Sequence, residues 1–567
     1  MRIIYALENH PPTLILMVCV TPIFMHPNRY MLSNSSDNSD KNSEYSQPDM
    51  PKNPEYNLMH SVIIIGAGIG GITTAAMLAQ NGFNVTVVEK HERPGGRCTR
   101  VVIDGHHFVT GPTLFVMPEL YEQTFAVLGE RIEDHLELRR VDPTYRIHFK
   151  DGTYLNLTSD LKTMKDQLES IEAGSFGKFL HYLDEGAKHY QLSVNHLMDR
   201  NFRNPLDFYN LRNLLIVWKV KGLIKHYDHV SNYFTDPRLK AAFTFQDMYV
   251  GLSPSNAPAL FSLLQYTEFT DGVWFPVGGM YSVIEALTNI ANKSGVRFLY
   301  SRVVKKIAIE RRKASGVIFE DGSQMSADLV IANADLAYVY RNLLPENGGI
   351  KNLDRKHYSC SAIVYFWGLK KQYPQLDAHN LFLSGDYLGS FDCIFEEIGI
   401  PKEPSFYIHA PARVDPNLAP KNQDTLIVIV PVGHLRGDAD RDWRPIIDEQ
   451  RKIVLHRLKK LGMADLKDHI KFELSYSPHD WYSRYNLEKG STHGLSHNLT
   501  QMGYLRPHNR HDKYNNLYFV GASTHPGTGL PTVLVSARLV TERILDEFDA
   551  PGHTLVSSSK AGGWKDE

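Results

Sequence analysis

The first residues whose types and spacing could do chemistry lie in "SVIIIGAGIGGITTAAMLAQNGFNVTVVEK", Ser61 to Lys90. Gly66, Gly68 and Gly71 have the G-x-G-x-x-G spacing. One glycine serves a tight turn, one lets the backbone approach a pyrophosphate, and one lets the following helix pack on the strand. Glu89 falls 23 residues after Gly66. A carboxylate there can accept hydrogen bonds from both hydroxyls of an adenosine ribose, and it would repel a 2′-phosphate, so NADP is disfavoured. Glycine-rich turns also occur wherever a loop needs positive φ. Here the glycines arrive with every element that a dinucleotide site requires.

Those elements are legible on either side. Val62 to Ile65 and Val85 to Val88 are apolar, mostly β-branched runs of the kind that form strands buried on both faces. Between them Ala75, Leu78 and Gly82 continue a helix with a small packing face and a glycine stop. "ERPGGRCTR" then places Gly95, Gly96 and Arg97 just past the acid. Two glycines permit close passage of the chain, and a guanidinium fork can grip pyrophosphate oxygens. This extension resembles the second half of the fingerprint of glutathione-reductase-like flavoproteins of the amine oxidase and carotenoid desaturase type, which implies FAD.

Composition bounds the rest. The 567 residues carry a formal net charge of −2 and are 43% hydrophobic, enough for two or three substructures and without the charge excess of a nucleic-acid partner. Cys19, Cys98, Cys360 and Cys393 are scattered and read as reduced thiols. No metal is expected: "RPHNRHD", Arg506 to Asp512, lacks ligand spacing on one helical face and reads as a solvated loop. Residues 1–59 read as an appendage. Leu14 to Met25 is an apolar run too short to span a bilayer, and Ser33 to Pro54 reads as a disordered linker.

Gly111 and Pro112 form a turn before a helix starting near Pro118. Strand patterns at "YRIHF" and "YLNL" precede a long helical tract from about Leu161 to Asn232. Within it, Asn210 to Val230 interleaves Leu214, Leu215, Trp218 and Leu223 with Arg212, Lys219, Lys221 and Lys225. That is the pattern of a basic amphipathic helix in a lipid interface, and equally of a core-facing helix with a lysine-bearing outer face. Phe298 to Asp335 reads as three short strands returning to the nucleotide domain, and 353 to about 480 as a second domain with strands such as "TLIVIVPV" and a helix from Trp443 to Leu461. Near the end, "NLYFVGASTHPGTGLPTVLVSARLVTERIL" is a buried strand, Gly521, a loop with Pro526, Gly527, Gly529, Leu530 and Pro531, and a helix. A helix N-terminus aimed at a flavin stabilises electron density gained on reduction.

That closing motif, with "GGRC", "GVWFPVGGM", "FTFQDMYVGLSPSNAPALFSLLQYTEF" and "LFLSGDYLGSFDCIF", resembles the phytoene desaturases of bacterial and fungal type, the fungal members most, from His60 to Phe548. The resemblance implies an α/β fold: a Rossmann-like FAD-binding domain of glutathione-reductase and amine-oxidase type, a discontinuous mixed α+β substrate domain and a helical membrane-associated region. The boundaries expected are 60–155, 298–352 and 501–548 for FAD, 156–297 for the helical region, 353–500 for substrate, and a disordered tail at 549–567. It further implies that Gly111 and Pro112 pass beside the flavin ring, that Val304 offers backbone bonds to adenine, and that Asn333 and Ala334 run toward the cofactor.

The implied reaction is the stepwise desaturation of phytoene by hydride and proton removal, toward lycopene or a further-dehydrogenated polyene, with oxygen or a quinone as final acceptor. FAD is expected to be non-covalent, because no cysteine follows Cys393. The substrate has no polar handle, so positioning in an apolar tunnel is the main catalytic device. A base is expected without being identified. His525 is one candidate through its loop, and a structural imidazole is the other reading of it. Val277 stands where many relatives carry arginine, and the polar tail lacks the apolar anchor of several fungal relatives. Attachment is therefore expected to be peripheral, on the cytoplasmic face of an intracellular membrane. Alternatives at this point are another carotenoid oxidoreductase (a later-step desaturase, ketolase or isomerase), a flavin amine oxidase, and a non-enzymatic binder of prenylated proteins.

Overall fold

The computed structural model describes residues 60–345, 350–437 and 441–548. The expectations for the apolar run, the linker and the polar tail fall outside these residues. Two sheets organise the rest. The apolar strands Ser61–Ile65 and Asn84–Val88 pair in parallel, and the parallel sheet, buried as such sheets are, runs Leu517–Phe519, Leu329–Ala332, Ser61–Ile65, Asn84–Val88, Arg297–Leu299. Strands from both ends and the middle of the chain thus make one sheet. Helix Ile69–Gln80 packs against helices Tyr281–Lys293 and Leu530–Glu547 on one side of it. Its Ala75 and Ala76 are fully buried there. The stretch Phe298 to Asp335, read as three strands, holds the antiparallel strands Val304–Glu310, Lys313–Phe319 and Gln324–Ser326 between two strands of the parallel sheet.

The second sheet has seven strands in the order Ile470–Tyr476, Ser361–Leu369, Asp424–Val432, Phe406–His409, His379–Phe382, Tyr145–His148, Tyr154–Leu157. Ser361–Leu369 is buried at every position, as befits an interior strand. Of the last two strands, Tyr145–His148 lies within the span read as the first FAD segment and Tyr154–Leu157 crosses its end at 155, yet they pair here, Arg146 to His148 running parallel to Asn380 to Phe382. Pairing partners hundreds of residues away leave no local trace. Helices Leu161–Ile171 and Ser175–Ser193 pack on this end of the sheet, sharing one apolar core of Tyr145, Ile147, Leu155, Met164, Leu168, Phe179 and Tyr182.

The long helical tract is broken into pieces. Asn210 to Val230 is not one amphipathic helix: Leu211–Lys219 and His226–Ser231 are separate, with Lys221 in the left-handed region at φ 52°. Asn210 caps the first by accepting from the Asn213 N–H. Its inner face buries Asn213 and Ile216, whereas Leu211, Trp218 and Leu223 beyond it are about three-quarters exposed. Lys221 does not face outward, because it pairs with Glu185. Among the described residues no helix is long and apolar enough to cross a membrane.

Candidate active site

One cavity of about 880 Å³ joins both sheets. At one end it is lined by Gly66, Gly68, Glu89, Gly95, Gly96, Arg97, Arg302, Val303 and Val304. It continues past Gly111 and Pro112 and past Gly521, Gly529, Leu530 and Pro531, and then among Met248, Tyr249, Leu260, Phe261, Leu381, Phe406 and Tyr407. Every glycine-motif residue singled out from sequence lines it except Gly71 and Gly527. Those two act one layer back. A Cβ at Gly71 would overlap the Gly66 carbonyl oxygen, and one at Gly527 would overlap the His497 imidazole. Val277 is not among the lining residues.

The two halves of the fingerprint lie side by side. Gly95 N–H donates to the Ala67 carbonyl at 2.8 Å, and Gly68 and Gly95 form an isolated parallel bridge. Gly66 and Gly95 have φ of 101° and 123°, conformations that demand glycine. Asn333 Nδ2 donates to the Gly66 carbonyl at 3.0 Å, so the strand after the crossover holds the first turn. The buried Glu89 carboxylate accepts from the Ala67 N–H at 2.7 Å and the His91 N–H at 2.9 Å. Each oxygen keeps a free lone pair for a ribose hydroxyl. Arg97 Nη1 donates to the Thr492 carbonyl at 2.7 Å, which fixes the side chain and leaves further donors available. Burial lowers its pKa and nearby Asp335 opposes this. A glycine floor, two helix N-termini, a buried acid and an anchored arginine fit FAD: donors where pyrophosphate is anionic, an acceptor where ribose donates.

The helix Leu530–Glu547 starts at Gly529 with Pro531 in its first turn, where a missing N–H costs nothing. The loop before it is held by a residue of the stretch expected to be a solvated loop. Arg506 is buried, and all five of its N–H bonds go to main-chain carbonyls: Nε to Thr524, Nη1 to Ser496 and Gln501, Nη2 to Leu495 and Ala522. Burial pulls its pKa down to about 9. Asn509 and His511 are also buried, so "RPHNRHD" is a structural brace. Among the described residues no three or more His, Cys, Asp or Glu side chains cluster as metal ligands. An arginine in a polar stretch carries no local signal of such a role.

His525 lines the cavity, half-buried against the Phe202 ring, and desolvation of its imidazole pulls its pKa down to about 4. It is a neutral imidazole with little affinity for a proton, which favours the structural reading. Cys98 and Cys360 are buried cavity residues whose thiols burial pushes up to about 12. Thiols so placed are poor nucleophiles. Sequence reading also missed Tyr249 and Tyr407, which stand with Thr113 and Ser405 among the apolar residues of the far lining.

Residues 69–545 match the family described as flavin containing amine oxidoreductase. Together with the fold and the dinucleotide cradle, this makes the chain a member of the flavin-containing amine oxidoreductases, FAD-dependent oxidoreductases. Within that class it belongs with the phytoene desaturases. It is 44% identical to the zeta-carotene-forming phytoene desaturase of Myxococcus xanthus, over 88% of this chain and 96% of that one. It is 40% identical to the phytoene desaturase of Fusarium fujikuroi, over 87% and 90%. An oxidoreductase of known structure from Methanosarcina mazei shares the fold, with a TM-score of 0.56 and 18% identity over 85% of this chain and all of that one.

Proposed function

We propose that the protein desaturates phytoene, or a closely related polyene, in carotenoid biosynthesis. The observation that carries this reading is the continuity of one cavity from the dinucleotide cradle into an apolar tunnel. Bound FAD supplies the two-electron oxidant for a C–H bond next to the triene. The chain supplies position and dryness. Leu260, Phe261, Leu381 and Phe406 offer only dispersion contacts and exclude water, so a hydrocarbon is held by shape. Tyr209, Leu214 and Leu505 line the cavity and are also exposed, which puts a mouth beside the exposed Leu206, Leu211, Trp218, Leu223 and Ile224. An apolar patch of this extent marks an interaction surface. We place it in the bilayer surface where the substrate dissolves, with Arg212, Lys219 and Lys225 facing headgroups. The protein is then peripheral, on the cytoplasmic face of an intracellular membrane. FAD is held without a covalent link, and the electrons pass on to oxygen or a quinone.

The test is incubation of purified holoenzyme with phytoene in liposomes, with and without a quinone, followed by chromatography of the products. Appearance of more conjugated polyenes supports the reading. Unchanged phytoene with intact FAD overturns it.

A further inference from the structure

The stretch "FTFQDMYVGLSPSNAPALFSLLQYTEF" contributes a line of buried polar groups behind the apolar wall. Tyr249 lines the cavity, and its hydroxyl is hydrogen-bonded to that of Tyr145, which reaches from the neighbouring sheet. Tyr145 Oη in turn donates to Glu268 Oε1 at 3.4 Å. Glu268 Oε2 accepts from Gln246 Nε2 at 3.1 Å, and Gln265 Nε2 donates to Gln246 Oε1 at 2.8 Å. Behind Gln265 stand the Tyr182 hydroxyl, at 3.2 Å, and then His226, paired with Asp247. Glu268 is 4% exposed, and no cation among the described residues pairs with it. A carboxyl group buried without a counter-ion, one hydroxyl pair away from a hydrocarbon tunnel, calls for a reason.

Desaturation leaves one proton to be placed. We propose that Glu268 is the terminal acceptor of the substrate proton, reached through the hydroxyls of Tyr249 and Tyr145. This rests on the desaturase reading. FAD, when bound, would take the hydride; the adjacent C–H bond then breaks and its electron pair closes the new C=C bond. The proton joins Tyr249 Oη while the proton of Tyr249 moves to Tyr145 and that of Tyr145 to Glu268 Oε1. A carboxylate becomes a carboxylic acid and both tyrosines are restored. A quinone acceptor takes up two protons per turnover, one carried by the hydride and one returned from Glu268, so the carboxylate is regenerated.

The neighbouring groups support this choice. Burial raises both phenols far above their ordinary value, so they pass a proton on and do not hold its charge. Burial lowers His379, His409, His493 and His497, so these imidazoles are poor acceptors of an added proton. Burial pushes Glu268 up to about 8, which makes its ionised form a strong base near working pH. Asp335 is also raised, to about 6, but it stands with Arg97 at the pyrophosphate end. Tyr249 is the catalytic residue in this scheme, and Glu268 acts through it.

The test compares parent holoenzyme with Glu268→Gln, Glu268→Asp, Tyr249→Phe and Tyr145→Phe. Expected are unchanged FAD content, a drop in kcat of roughly 100-fold in Glu268→Gln with KM preserved, and partial rescue in Glu268→Asp. The parent's kcat should rise through a limb near pH 8 that Glu268→Gln lacks. Glu268→Gln combined with Tyr249→Phe should cost no more than either alone. Independently of turnover, the infrared carbonyl band of a protonated carboxylic acid should titrate near pH 8 in the parent apoprotein and be missing in Glu268→Gln. Parent-like kcat with the same pH limb in Glu268→Gln overturns the proposal. If that variant does not fold, parent-like kcat in Tyr249→Phe overturns it equally. A parent inactive on phytoene sinks the desaturase reading, whereas an active parent with indifferent variants sinks the relay alone.

Discussion

Glu89 Oε2 lies 2.7 Å from the backbone nitrogen of Ala67, so the acid that ends the second strand holds the turn between the first two glycines. The same carboxylate thereby shapes the pyrophosphate cradle and presents acceptors to a ribose. Glu89→Gln turns an NH2 toward either the Ala67 or the His91 N–H, whereas Glu89→Asp keeps two acceptor oxygens. Gln should weaken FAD more than Asp does, by about 1.5–3 kcal/mol relative to the parent. Fluorescence titration of apoprotein with FAD measures this, and an unchanged affinity in the Gln variant removes Glu89 as the ribose ligand.

Glycine substitutions should have opposite signs at different places. In Gly71→Ala the new methyl meets the Gly66 carbonyl oxygen, so the helix must back away from the turn and FAD binding should be lost. Gly68→Val should abolish it as well, by filling the pyrophosphate position. Gly177, inside the helix Ser175–Ser193, has open space around it, and Gly177→Ala should stabilise by up to ~1 kcal/mol. Urea denaturation and flavin content read both effects.

Arg506 braces the loop before the last helix with five main-chain bonds. Arg506→Met strands several buried carbonyls at roughly 1–3 kcal/mol for each one left unpaired. Purified protein should lose FAD and melt at lower temperature, and Arg506→Lys, with fewer donors in a different shape, should recover only part. A methionine variant with full FAD content would show the brace to be dispensable.

The docking face calls for a variant that spares Lys221, which is tied to Glu185. Replacing Arg212, Lys219 and Lys225 with glutamine should reduce binding to anionic liposomes, by up to about 1 kcal/mol per charge at low salt. Leu211, Trp218 and Leu223 changed to serine should reduce it at any salt, because the loss is apolar. Flotation of liposomes checks this. Unaltered binding in both variants moves the membrane face elsewhere.

Stability should carry the mark of Glu268. Its folded pKa, about 8, lies above the ordinary 4.5, so the folded state binds an extra proton between these values. The stabilisation is present below about pH 4.5 and is lost as pH rises through 8, at about 1.4 kcal/mol for each pH interval of one between them. Compared with Glu268→Gln, the parent should therefore lose ground between pH 6 and pH 9 in thermal melts. A constant difference would place the carboxyl group in a less buried setting.

What the sequence determined by itself was whatever chemistry demands of neighbours in the chain. Strand, glycine turn, helix, second strand and Glu89 follow one another within thirty residues, and each is required by close approach to a pyrophosphate, so the dinucleotide cradle could be read directly. The loop from Gly521 to Pro531 was legible for the same reason. Tertiary structure alone decided what depends on distant partners. It put Tyr145–His148 and Tyr154–Leu157 in the second sheet, because a strand's own pattern does not name its neighbour. It broke Asn210 to Val230 at Lys221, whose backbone is left-handed and whose ammonium pairs with Glu185, a residue distant in the chain. It buried Arg506 against the carbonyls of Leu495, Ser496, Gln501, Ala522 and Thr524. It also set Tyr145 between Tyr249 and Glu268, residues 104 and 123 positions away. Desolvation depends on everything packed around a group, so no local window of sequence carries it.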